Sequence, residues 1–163
     1  MSDEVLVRLF EHNNWANIQM IQVCTALSDV LLDAQPHSAT KGTIRQTLLH
    51  LVSSQRGYLA LLTLPVELRE KVPLPFEELK EVAQASGDEL LALVKSGELP
   101  NPKLQTTDGY YVEPWVVFLQ IINHAAEHRE QVNSMLSALG QAPLDLDGWS
   151  YGEFTNSLIP VRK

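Results

Sequence analysis

The chain has 163 residues, of which 45% are hydrophobic and 20% charged, one domain's worth of ordinary globular composition. Twelve Lys and Arg against twenty Asp and Glu leave a formal net charge of −8, which argues against nucleic-acid binding, where clustered cations carry the affinity. The single cysteine, Cys24, excludes an internal disulfide or a cysteine-based metal finger, and no apolar run reaches the roughly 18 residues needed to span a membrane.

The start, Met1-Ser2-Asp3-Glu4, is acidic and runs straight into helical periodicity. It lacks the basic and apolar regions of a signal peptide, so the expectation is a cytoplasmic protein. From residue 3 to about residue 33, Leu6, Phe10, Met20, Ile21, Cys24 and Leu27 recur at helical spacing, which predicts a first helix ending before Pro36. Residues 42 to about 63 repeat the pattern with Ile44, Leu48, Leu51, Tyr58 and Leu62. Pro65, Pro73 and Pro75 mark the next connection, and residues 75 to about 96 form the third segment. Residues 97–102 read as a loop, and 105–112, around Asp108-Gly109, as a short hairpin. Residues 114–139 are the fourth segment, closed by Gly140 as a helix-ending glycine. Beyond Pro143 the tail has no clear period. The reading is all-α, a four-helix bundle over 1–163 as a single domain, with connections long enough for one or two crossovers and a short irregular C-terminal tail.

Five histidines carry whatever chemistry the chain has. His124 and His128 stand at i, i+4, so both rings leave one helix face a turn apart, the spacing by which helices offer two imidazoles to one metal ion. Val117, Ile121 and Met135 share their stripe, so the pair points inward. Inward imidazoles need partners. A divalent cation supplies them, and so do hydrogen bonds to carbonyls or to Asn and Ser side chains; spacing alone leaves both open. His50 lies within about 60° of Thr43, Thr47, Ser54 and Gly57 on its helix, a small-residue face suited to a cavity wall or to a surface boundary. Asn13 and Asn17 continue the apolar stripe of the first helix, where a polar pocket near a metal or a neighbouring helix would satisfy them. Trp15 faces elsewhere, towards the tail or a partner chain. His12 is expected to face away from the site, His37 to be solvated, Glu127 to lie at the surface, and Cys24 to belong to the core.

Three segments together resemble the DinB-like family, the DinB/YfiT-type bundles. They are Phe10-Glu11-His12-Asn13-Asn14-Trp15-Ala16-Asn17, Leu48-Leu49-His50-Leu51, and His124-Ala125-Ala126-Glu127-His128-Arg129-Glu130-Gln131, with Leu144-Asp145-Leu146-Asp147 and Tyr151 similar to its usual ending. The chain departs at His12, usually Tyr, and at Glu130, often Gly. The resemblance implies that His50, His124 and His128 bind one divalent metal, zinc or nickel, and that the protein is a homodimer; helical placement adds Asn13, Asn17 and Ser54 as candidate pocket residues. It implies a small-molecule substrate, with a low-molecular-weight thiol among the candidates and no nucleic acid. A thiol S-transferase or related transferase or hydrolase is the first functional expectation, and a non-catalytic metal binder or sensor the second. Catalytic residues are unassigned. Three neutral histidines would leave the ion its full charge and an open position, where water or a thiol loses its proton near neutral pH.

Overall fold

The structure, a computed structural model, describes residues 2–40, 42–100 and 103–161. Asn101 and Pro102, part of the expected loop, lie outside the described residues, as do Met1, Lys41, Arg162 and Lys163. Among the described residues six α-helices follow one another: α1 (Ser2–Cys24), α2 (Asp29–Leu32), α3 (Ile44–Thr63), α4 (Leu79–Ser96), α5 (Pro114–Ala138) and α6 (Gly148–Phe154).

Four of these are long and form the bundle. α1 packs on α4 and α5, and α3 packs on the same two. The order around the bundle is therefore α1–α4–α3–α5, and the connections from α1 to α3 and from α4 to α5 cross between diagonal helices. This is the arrangement that the long connections foreshadow.

The helix ends follow local chemistry. Thr43 caps α3 by accepting from the Gln46 backbone N–H, while the Gln46 side chain accepts from the Thr43 N–H, a reciprocal capping box written as Thr-x-x-Gln. Pro114 opens α5 at a position whose N–H is free in any helix. At its other end Gly140 adopts φ +73°. The Gly140 N–H donates to Ser137 O and the Gln141 N–H to Leu136 O, the paired bonds of a Schellman stop, as the glycine predicts.

Two boundaries differ from the sequence reading. The first helical segment ends at Cys24 rather than near residue 33. Ser28 accepts from the Leu31 N–H and restarts the chain as the short α2, so Ser-Asp at 28–29 acts as a cap that the apolar period masks. The tail is not wholly irregular: Asp147 caps α6 by accepting from the Ser150 N–H. The hairpin reading of 105–112 corresponds to a single antiparallel bridge between Gln105 and Tyr111, with Gly109 at φ +93°.

The core divides into two apolar clusters, one around Met20, Ile21, Leu48, Leu51, Leu79 and Met135, the other around Phe10, Leu62, Leu90, Val117 and Ile121. Between helices α1 and α4, the Asn14 amide donates to Gly87 O at 2.8 Å. A Cβ at position 87 would fall 2.8 Å from Asn14 Oδ1, so a larger residue would displace the Asn14 amide from this bond.

Candidate metal centre

α3 and α5 lie side by side, and their seam gathers three of the five histidines. His50 Nε2 stands 3.1 Å from His124 Nε2, and His128 Nε2 stands 3.1 Å from the same atom. The ligand atoms of all three fall within 4.8 Å of one another, the one cluster of His, Cys, Asp or Glu with such spacing among the described residues. The rings meet nearly edge to face, His50 on His128 at 4.8 Å and His124 on His128 at 4.3 Å between centroids.

Burial is graded across the cluster. His128 is 3% exposed, His124 is half-buried and His50 is exposed. Buried Val117, Ile121 and Met135 share the α5 face that carries the pair. The cluster therefore opens to solvent along the α3 side. Tyr58 sets its ring edge to face with His124 at 5.7 Å, and its hydroxyl accepts from Gln120 Nε2 at 3.4 Å.

The donor chemistry fits a metal ion. A neutral imidazole offers one N–H and one lone pair. His124 Nε2 faces two other ring nitrogens and can present either a proton or a lone pair, so it cannot make a straight hydrogen bond to both. A cation among the rings takes a lone pair from each. Two nitrogens bound to one zinc ion at about 2.0–2.1 Å stand about 3.3 Å apart at tetrahedral angles, close to the 3.1 Å that His124 Nε2 keeps from each of the other two.

Asn13 and Asn17 are buried as their stripe predicts, but they turn to a different group. Both oxygens accept from Arg129 Nη1, at 2.9 and 2.6 Å. Asn17 Nδ2 donates to Gln55 Oε1, whose amide nitrogen donates to Ala83 O and to Ser86 Oγ. One polar chain thus crosses α5, α1, α3 and α4. Of the two readings of Asn13 and Asn17, the structure shows bonding to a neighbouring helix, because a buried guanidinium needs acceptors and these amides supply them. Burial lowers the Arg129 pKa to about 10, with Glu130 pulling the other way. Gln55 was readable as a polar residue on the stripe of Leu48 and Leu51; its partners were not. Ser54, one turn past His50, is half-buried.

The remaining residues fall where the helical wheel puts them. His12 Nε2 bonds Leu146 O at 2.7 Å, on the tail side of α1. Trp15 packs against Tyr151 and Phe154 of α6. His37 and Glu127 are exposed, and Cys24 is fully buried. A cleft of about 640 Å³ separates α5 from residues 143–147. Asn133 ties both sides of it together through the Leu144 backbone N–H and C=O.

The sequence profile of the DinB family matches residues 1–160. The crystal structure of a protein from Exiguobacterium sibiricum assigned to the DinB family superposes with a TM-score of 0.70 over 89% of this chain and 97% of that one, at 18% identity. At that identity the likeness speaks for the fold. No curated protein matches the chain significantly.

Proposed function

The chain belongs to the DinB family, and on that premise we propose that His50, His124 and His128 hold one divalent metal ion, zinc or nickel, in a small-molecule transferase, most concretely a thiol S-transferase. The observation that carries the reading is the convergence of three Nε2 atoms from two helices at one solvent-open seam. A divalent ion held by neutral imidazoles keeps its charge and lowers the pKa of a group placed beside it, which suits activation of a thiol or of water. The protein supplies the rest. Buried His128 anchors the ring set, exposed His50 leaves an approach for a small molecule, and Tyr58 with Gln120 borders His124. The thiol, the small-molecule substrate and the homodimer come from the family resemblance and belong to the same proposal. Among the described residues no helix is long and apolar enough to cross a membrane.

The test is elemental analysis of protein purified without a histidine tag or added metal, then a screen of low-molecular-weight thiols against electrophiles, with chelated protein as the control. About one metal ion per chain and turnover lost on chelation are expected. Metal without turnover on any thiol or water substrate would favour a non-catalytic binder or sensor. Absence of stoichiometric metal after reconstitution would defeat the metal reading itself. Mass determination in solution checks the dimer.

A further inference from the structure

His128 is held by more than its packing. Its Nδ1 lies 2.7 Å from Oε1 of Gln131, three residues on along α5, and side chains at that spacing are neighbours on a helix face. Gln131 is half-buried and His128 is 3% exposed, so the bond is shielded on the histidine side.

With the amide oxygen of Gln131 turned to Nδ1, the contact fixes the tautomer. An amide oxygen only accepts, so Nδ1 must carry the proton. A neutral imidazole has one N–H, so Nε2 is left with its lone pair, and Nε2 is the atom that faces His124. We propose that Gln131 is a positioning residue, selecting the Nδ1–H tautomer of His128 so that its Nε2 lone pair is presented to the three-histidine cluster. Free histidine favours the opposite tautomer, with the proton on Nε2. Without an acceptor at Nδ1, His128 would turn a proton towards the cluster and oppose a cation there. With it, the ring is held in one orientation and one tautomer, as outer partners of histidine ligands generally do.

This inference rests on the metal reading for its purpose but not for its test. In 15N-labelled protein stripped of metal, at a pH where the imidazoles are neutral, two-bond 1H–15N correlations report each ring's tautomer. His128 should be in the Nδ1–H form. Gln131→Leu, a good helix former of similar size, should move it towards the Nε2–H form, and Gln131→Glu, which keeps an acceptor, should retain it. In titrations with zinc ion alone, Gln131→Leu should bind about 10–100-fold more weakly and Gln131→Glu should recover most of the loss. An Nε2–H His128 in the wild-type protein, or a tautomer unchanged in folded Gln131→Leu, overturns the proposal. Failure of the wild-type protein to bind zinc would instead overturn the metal reading, and the tautomer spectra would still decide the role of Gln131.

Discussion

Arg129 Nη1 donates to Asn17 Oδ1 at 2.6 Å across the α1–α5 interface, a buried charge held by an amide rather than by a carboxylate. Asn13 provides the second acceptor. The guanidinium is therefore desolvated among amide dipoles, and burial lowers its pKa to about 10 against the opposing attraction of Glu130.

That arrangement predicts an ordering of stabilities. Arg129→Met strands two amide oxygens, at about 1–3 kcal/mol each, partly offset by removal of the buried charge. Asn17→Leu leaves the charge in place with one acceptor fewer, and strands Gln55 Oε1 as well, on the order of 3–5 kcal/mol. The double variant Arg129→Met/Asn17→Leu should be more stable than Asn17→Leu alone. Urea unfolding of the four proteins gives the cycle; simple additivity would mean the two groups do not act together.

Arg45 joins α3 to the end of α2. It donates to Asp33 through Nε at 2.8 Å and through Nη2, bonds Asp29 as well, and lies over the Phe76 ring at 4.5 Å. The hydrogen bond from Arg45 holds the Asp33 carboxyl below its ordinary range, with burial opposing and the charge attraction assisting. A carboxylate pKa lowered on folding adds stability above the unfolded value near pH 4, and that stability is lost as pH falls through the lowered folded value. The stability gap between wild type and Arg45→Gln should therefore be widest above about pH 5 and narrow as pH falls below it. Added salt should shrink it too. The Phe76 contact does not titrate, so a remnant of the gap should persist. A gap that is flat from pH 7 to pH 3 would show that the ion pair contributes nothing.

These two clusters mark what the sequence could and could not disclose. Periodicity locates the four long helices because each buries a stripe over many turns, and Pro114 and Gly140 punctuate α5 by local rules. It cannot resolve α6, where Gly148-Trp149-Ser150-Tyr151-Gly152-Glu153-Phe154 spans barely two turns and contains two glycines. A helical wheel says that Asn13 and Asn17 face inward, not that the facing group is Arg129, 116 and 112 positions away. For the histidines the i, i+4 pair is local and legible, whereas the approach of His50 depends on α3 lying beside α5. That adjacency is a property of the crossovers, which no single helix encodes.

Cys24 is fully buried and its thiol lies 3.8 Å from Met20 Sδ. Burial pushes its pKa up to about 12, and the thiolate is the reactive form. Native protein at pH 8 should react with a disulfide reagent far more slowly than unfolded protein, and no faster than the chain opens. If thiol-dependent turnover is found, Cys24→Ser should retain it. Rapid native labelling, or activity lost in a folded Cys24→Ser protein, would place the nucleophile at Cys24 and contradict the mechanism proposed here.

The three histidines should separate by burial in one property and agree in another. His128→Ala opens a hole in the core side of α5 and should cost about 1–3 kcal/mol of stability, while His50→Ala removes an exposed ring and should change stability by no more than about 0.5 kcal/mol. A ligand that binds only the native state stabilises it by about 2.7 kcal/mol at a hundred times its dissociation constant. Zinc should therefore raise the melting temperature of the wild-type protein and chelation should reverse the rise. His50→Ala, His124→Ala and His128→Ala should each abolish most of that rise, whatever their baseline. His50→Ala is the sharpest case, since its unliganded melting temperature should lie close to that of the stripped wild type. A His50→Ala protein that still gains the full zinc-induced shift would remove His50 from the ligand set and leave the α5 pair to bind without α3.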